Sequence, residues 1–129
     1  MIAVDTNVVV RFLTRDHEVE AARALALFER ETVLLPKTVL LETEWVLRSS
    51  YSFPPARCAA ALRALIAMPN VKCEDLPAVT DALRWMQLGV DFADALHLAS
   101  AKSAERFATF DRRFAARAQK ISDVLVVRA

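Results

Sequence analysis

Short apolar runs alternate along this chain with longer segments whose apolar residues recur at three- and four-residue spacing. The first run starts at Ile2 and stops at Asp5; Val9, Phe12 and Leu13 then share one face of a short helix over 8–15. Residues 17–30 place Ala21, Leu25 and Phe28 at i, i+4 and i+7, an apolar stripe on an otherwise charged helix. TVLLP at 32–36 is β-branched and apolar and ends in proline, which predicts the second strand. A helix that is apolar over most of its surface follows at 37–50, and the prolines at 54 and 55 break it from the next, at 56–67. Residues 71–77 read as a short third strand, and 78–88 as a helix that the sole glycine, Gly89, terminates. The stripe Phe92, Leu96, Ala99 predicts a helix over 90–104; RFATF at 106–110 is the fourth strand, DRRFAARAQ a short helix, and VLVV at 124–127 the fifth strand. Strands alternating with helices predict an α/β fold: three α/β/α layers around a mainly parallel five-stranded sheet, in a single domain over 1–129.

Composition narrows this picture only a little. A chain of 129 residues, 55% hydrophobic and 26% charged, has enough apolar side chains for a core. No apolar run approaches the ~20 residues that span a bilayer. Asp5 interrupts any signal-peptide pattern, so the expectation is a cytoplasmic protein with no membrane contact. Cys58 and Cys73 have no CxxC spacing and are expected to be free, buried thiols. A net charge of +1 carries no bulk signal for nucleic acid, but the charge is uneven. Residues 70–100 hold five acidic and two basic side chains, whereas 103–129 hold three and six. That asymmetry suits an acidic pocket with a basic margin.

The candidate chemistry lies in the carboxylates. In an open α/β sheet, sites form beyond the carboxyl ends of the strands, and both Asp5 and Asp111 stand directly after a strand. Asp94 falls in the first turn of a helix, with Asp91 three residues earlier as its expected cap. Glu42 comes from the helix after the second strand, and Glu44 points about 200° away from it. The simplest assembly is an acidic pocket of Asp5, Glu42, Asp94 and Asp111. Such a group stays ionised only around a cation, and hard oxygen donors select Mg²⁺ or Mn²⁺. A divalent ion so held suits chemistry at a phosphodiester. The competing reading of each residue is ordinary: caps for Asp91 and Asp94, an ion pair with Arg48 for Glu42, a simple turn for Asp5.

IAVDTNVVVRFLTRD, LLETEWVL, DFADALHLA and ATFDRRF, in that order, resemble the four signatures of the PIN domain, and more narrowly of the VapC-type ribonuclease toxins. The resemblance covers essentially the whole chain. It implies a PIN-like fold and a Mg²⁺-dependent endoribonuclease, with Mn²⁺ as an alternative ion, that leaves 5′-phosphate and 3′-hydroxyl ends. The family's acidic positions fall on Asp5, Glu42, Asp94 and Asp111, with Asp91 as an additional metal position. Thr6 and Asn7 match the first motif, and Thr109, two residues before Asp111, is placed to support a ligand or water. Arg11, Arg15, Arg48, Arg112 and Arg113 are candidate holders of the RNA backbone. The implied partners are a tRNA, rRNA or mRNA cut in a loop or single strand, a VapB-like antitoxin, and a second copy of the chain in a homodimer. Two readings from other classes compete. One is a non-catalytic PIN-fold RNA-binding or scaffolding protein. The other is a receiver-like phosphoacceptor domain, which would want a second acidic residue after the first strand and a lysine after a late one.

Overall fold

The computed structural model describes all 129 residues, which divide into two compact units, Met1–Leu76 and Pro77–Ala129. The first unit carries β1 (Ile2–Ala3), α1 (Thr6–Thr14), α2 (Glu18–Arg30), β2 (Val33–Leu35), α3 (Lys37–Ser50), α4 (Pro55–Ile66) and β3 (Val71–Cys73). The second carries α5 (Leu76–Gln87, entering from the last residue of the first), α6 (Phe92–Ala99), β4 (Phe107–Thr109), α7 (Arg112–Ile121) and β5 (Val126–Arg128).

In the first unit the strands run parallel in the order β1–β2–β3, with Ile2 opposite Val33 and Leu35 opposite Cys73. Val33 and Leu35 of the middle strand are completely buried, as a strand paired on both edges requires. Phe12 of α1 stacks on Phe28 of α2, with ring centroids 4.1 Å apart. Leu40 and Leu47 of α3 and Leu62 and Leu65 of α4 complete a dry core. Each such leucine contributes about 2 kcal/mol through burial. Pro36 ends β2 but has no side chain with which to cap α3. Glu74 takes over that role, its carboxylate accepting the Lys37 amide at 2.7 Å. Pro54 and Pro55 open α4, where the missing amide costs nothing.

In the second unit β4 and β5 pair in parallel, Phe107 opposite Val126. Phe107 meets Phe114 of α7 edge to face at 5.9 Å. Gly89 follows α5 with φ +98°, a conformation that glycine adopts freely and that strains other residues.

The alternation of helices and strands and the parallel sense follow expectation, but a single five-stranded sheet does not form. The five strands make one sheet of three and one of two. Alternation marks a segment as extended without naming its neighbour. Strands of two or three residues, cut short by Asp5 and Asp111 as helix caps, offer only a few ladder bonds each. The helix expected over 90–104 also stops earlier, at Ala99, and turns carry the chain to Ser103.

Candidate active site

Asp5 leaves β1 and becomes the N-cap of α1, its Oδ1 accepting the Val8 amide at 3.2 Å. The cap fixes the carboxylate at the strand end while leaving it exposed. Thr6, the next residue, is buried and donates its hydroxyl to Oε1 of Glu42. Two sequence-distant candidates are thereby tied together: the residue beside Asp5 orients the carboxylate that α3 supplies. Asn7 is exposed and lines a small cavity with Arg11 and Arg23.

Glu44 is on the opposite side of α3, as its spacing predicts, and is almost fully buried. Arg48, one turn on, pairs with it through Nε at 3.0 Å and Nη2 at 3.3 Å. Arg48 therefore neutralises a buried carboxylate, and its partner is Glu44, not Glu42. Arg11 is equally committed: its guanidinium meets Glu20 at 2.9 Å, Asp16 at 3.1 Å and the Tyr51 hydroxyl at 3.2 Å. Arg15 is exposed, 6.0 Å from the ring centre of Phe12.

The second unit holds the other carboxylates. Asp111 repeats the device of Asp5: it leaves β4, caps α7 and accepts the Phe114 amide at 3.0 Å. Thr109 bonds to the backbone amide of Asp111 at 3.0 Å, so it braces the turn that carries the carboxylate. Asp91 occupies the N-cap position of α6, yet its side chain makes no capping bond there, contrary to expectation. Asp91, Asp94 and Asp111 instead line one cavity of about 250 Å³, together with Arg113 and Arg117. Half-burial there pushes the Asp94 carboxyl above its ordinary range, and the charges of Asp91 and Asp111 push it further, against a smaller opposing pull from His97. His97 itself is exposed and not packed. Arg112 and Arg113 are exposed at the start of α7. Arg117 escapes a motif-based reading; its signal is helical spacing, four residues after Arg113 on the face that borders the acidic cavity.

No group of three or more His, Cys, Asp or Glu side chains is arranged as a ready metal cage. The physical reason is visible at each position. Glu42 is turned onto the Thr6 hydroxyl, and Asp5 and Asp111 are turned onto helix amides. The donors nonetheless suit a hard divalent ion: all are carboxylate oxygens, and a cation would offset the burial and the neighbouring charges that raise Asp94.

The description of the PIN domain matches residues 2–120. The chain belongs to the PIN-domain family. Its match takes in Asp5, Glu42, Asp91, Asp94 and Asp111, and the PIN fold is associated with nuclease activity in general. A receiver-like domain is thereby displaced as the alternative fold. No curated protein matches the chain. No helix of this PIN domain is long and apolar enough to cross a membrane.

Proposed function

We propose that this PIN domain, read as a single domain over residues 1–129, is a Mg²⁺-dependent endoribonuclease and the VapC-type toxin of a toxin–antitoxin pair. The observation that carries the reading is the acidic cavity that gathers Asp91, Asp94 and Asp111, where burial and the two neighbouring carboxylates raise Asp94. Asp5, Glu42, Asp94 and Asp111, with Asp91 in support, would hold Mg²⁺ or Mn²⁺. Bound there, a divalent ion supplies the charge that activates water and offsets negative charge building on a phosphodiester.

The side chains contribute position. The amides of Val8 and Phe114 hold Asp5 and Asp111 at their strand ends, the Thr6 hydroxyl aims Glu42, and Thr109 stiffens the Asp111 turn. Asn7 supports the first of these turns. Arg15, Arg112 and Arg113, exposed, are the backbone-holding residues, because Arg11 and Arg48 are already satisfied by carboxylates. Hydrolysis would join a water oxygen to phosphorus and break the bond to the 3′ oxygen, which takes up a proton. The products are a 5′-phosphate and a 3′-hydroxyl. The substrate would be a tRNA, rRNA or mRNA at a loop or single strand. A VapB-like antitoxin, homodimerisation and a cytoplasmic setting complete the proposal.

The test is cleavage of total RNA by antitoxin-free protein, in Mg²⁺ and in EDTA, with Asp5→Asn beside the wild type. Cleavage that needs the metal and disappears in the mutant is expected, with 5′-phosphate ends on mapping. Folded, Mg²⁺-binding protein that cuts no RNA would overturn the nuclease reading and leave a non-catalytic RNA-binding PIN domain.

A further inference from the structure

Phe110 is the most exposed large apolar residue in the chain, at 80%. It stands between Thr109 and Asp111 in a turn that is rigid on both sides. The Thr109 hydroxyl bonds the Asp111 amide, and the Asp111 carboxylate caps α7. The ring therefore projects into solvent from a fixed backbone, beside a carboxylate of the acidic cavity. Leaving a phenylalanine so exposed forgoes about 2 kcal/mol of burial, which a ligand with an aromatic face can recover.

The helix that follows is basic along one side. Arg113, Arg117 and Lys120 are spaced i, i+4 and i+7 and are all exposed. They line a continuous shallow cavity of about 380 Å³, and Arg113 and Arg117 also border the cavity of Asp91, Asp94 and Asp111. Unlike Arg11, Arg48 and Arg84, which pair with carboxylates, none of the three is in an ion pair. Arg117 is nonetheless held in place. Its Nη1 donates to the Leu88 carbonyl at 2.6 Å across Gly89, where a Cβ would come within 2.6 Å of that same nitrogen. An anchored guanidinium with spare donors loses less side-chain freedom when it meets a phosphate. Arg117 rises about 6 Å beyond Arg113 and Lys120 about 4.5 Å beyond Arg117, of the order of the step between phosphates on an extended strand.

We propose that α7 and the turn before it form a single-strand RNA track, in which Phe110 stacks on a base and Arg113, Arg117 and Lys120 follow the phosphates away from the acidic cavity. Exposed aromatic and basic side chains in sequence are the elements by which proteins hold unpaired strands, and a duplex would bury the base faces that Phe110 needs. The inference rests on the RNA-directed reading of the site but not on turnover.

The test is fluorescence anisotropy in Mg²⁺ on an Asp5→Asn background, so that binding is read without cleavage. The probe is a fluorescein-labelled, unstructured oligoribonucleotide of about a dozen nucleotides, set beside an abasic version and a perfect RNA duplex. Phe110→Ala is expected to weaken binding of the unstructured probe by about tenfold, to leave the abasic probe unaffected, and to be rescued by Phe110→Trp. Arg113→Ala, Arg117→Ala and Lys120→Ala are each expected to lower the salt dependence of log Kd by about 0.7 on every single-stranded probe. Unchanged affinity in Phe110→Ala, equal loss on the abasic probe, or preference for the duplex would each overturn the track, including the case in which Phe110 serves a protein partner. Wild-type cleavage with intact Phe110→Ala binding would leave the nuclease standing without the track; binding that depends on Phe110 without any cleavage would do the reverse.

Discussion

Asp5 and Asp111 are built alike and surrounded differently. Each ends a short strand, caps the next helix and accepts the amide three residues on. Around Asp5 the charges are settled: Thr6 satisfies Glu42, Glu44 and Arg48 neutralise each other, and Arg11 is shared among Asp16, Glu20 and Tyr51. Around Asp111 they are not. Burial, and then the charges of Asp91 and Asp111, raise Asp94, and Arg113 and Lys120 have no carboxylate partner. A fold gains nothing from gathering like charges at one cavity, so the first arrangement reads as a support and the second as a place suited to a ligand.

The largest effect that would sharpen this contrast is on catalysis. Asp94→Asn should cut RNA cleavage on the order of a thousandfold, because several kcal/mol of transition-state stabilisation pass through the ion it helps to hold. The same substitution should raise the melting temperature in metal-free buffer, since it removes a charge that burial and its neighbours oppose. Glu42→Gln should lose activity without that gain, because Thr6 already satisfies Glu42. A thermal-shift series in EDTA and in Mg²⁺ separates the two, and equal melting changes would erase the distinction between the units.

Next in size is the support itself. Arg48→Ala strands the buried Glu44 carboxylate and should destabilise the protein by roughly 2–3 kcal/mol, less than a wholly buried pair because Arg48 is 39% exposed. Urea titration checks it, and Glu44→Gln in the same background should recover much of the loss. A smaller loss, about 1 kcal/mol, is expected for Gly89→Ala, which forces a side chain into positive φ and displaces the Arg117 guanidinium. Its RNA affinity should fall with Arg117→Ala, whereas Arg48→Ala leaves affinity unchanged.

How much of this was legible in the residues depends on range. Strand ends, caps and helix faces are local. An apolar run stopped by Asp5 or by Asp111 announces both the strand and the carboxylate beyond it. The pairing of Glu44 with Arg48 is legible too, through i, i+4 spacing. The partition of the strands was not, because period-two alternation is silent on neighbours and two-residue strands have little else to specify them. Nor was the bond from Thr6 to Glu42, which joins residues 36 apart, or the seat that Gly89 leaves for Arg117. Such contacts depend on how elements approach, and no pattern within either element encodes that.

The smallest expected effect tests the settled region by pH. The Tyr51 hydroxyl, which donates to Asp16 at 2.6 Å, is the main cause of a lowered Asp16 carboxyl, with Thr14 and the charge of Arg11 adding to it. Glu20 is lowered likewise, chiefly by its bond from Arg11. A carboxylate whose folded value lies below its unfolded one binds fewer protons when folded. Its contribution is therefore complete above the ordinary carboxylate range and is lost as pH falls through the lowered folded value. Tyr51→Phe removes the donor, so Asp16 returns toward its ordinary value and that part of the acid-dependent slope flattens. Thermal melts between neutral pH and the acid limit should show the mutant and wild type converging as pH drops. A constant offset at every pH would mean that Tyr51 acts through packing alone, and the network around Arg11 would then be held by shape and not by charge.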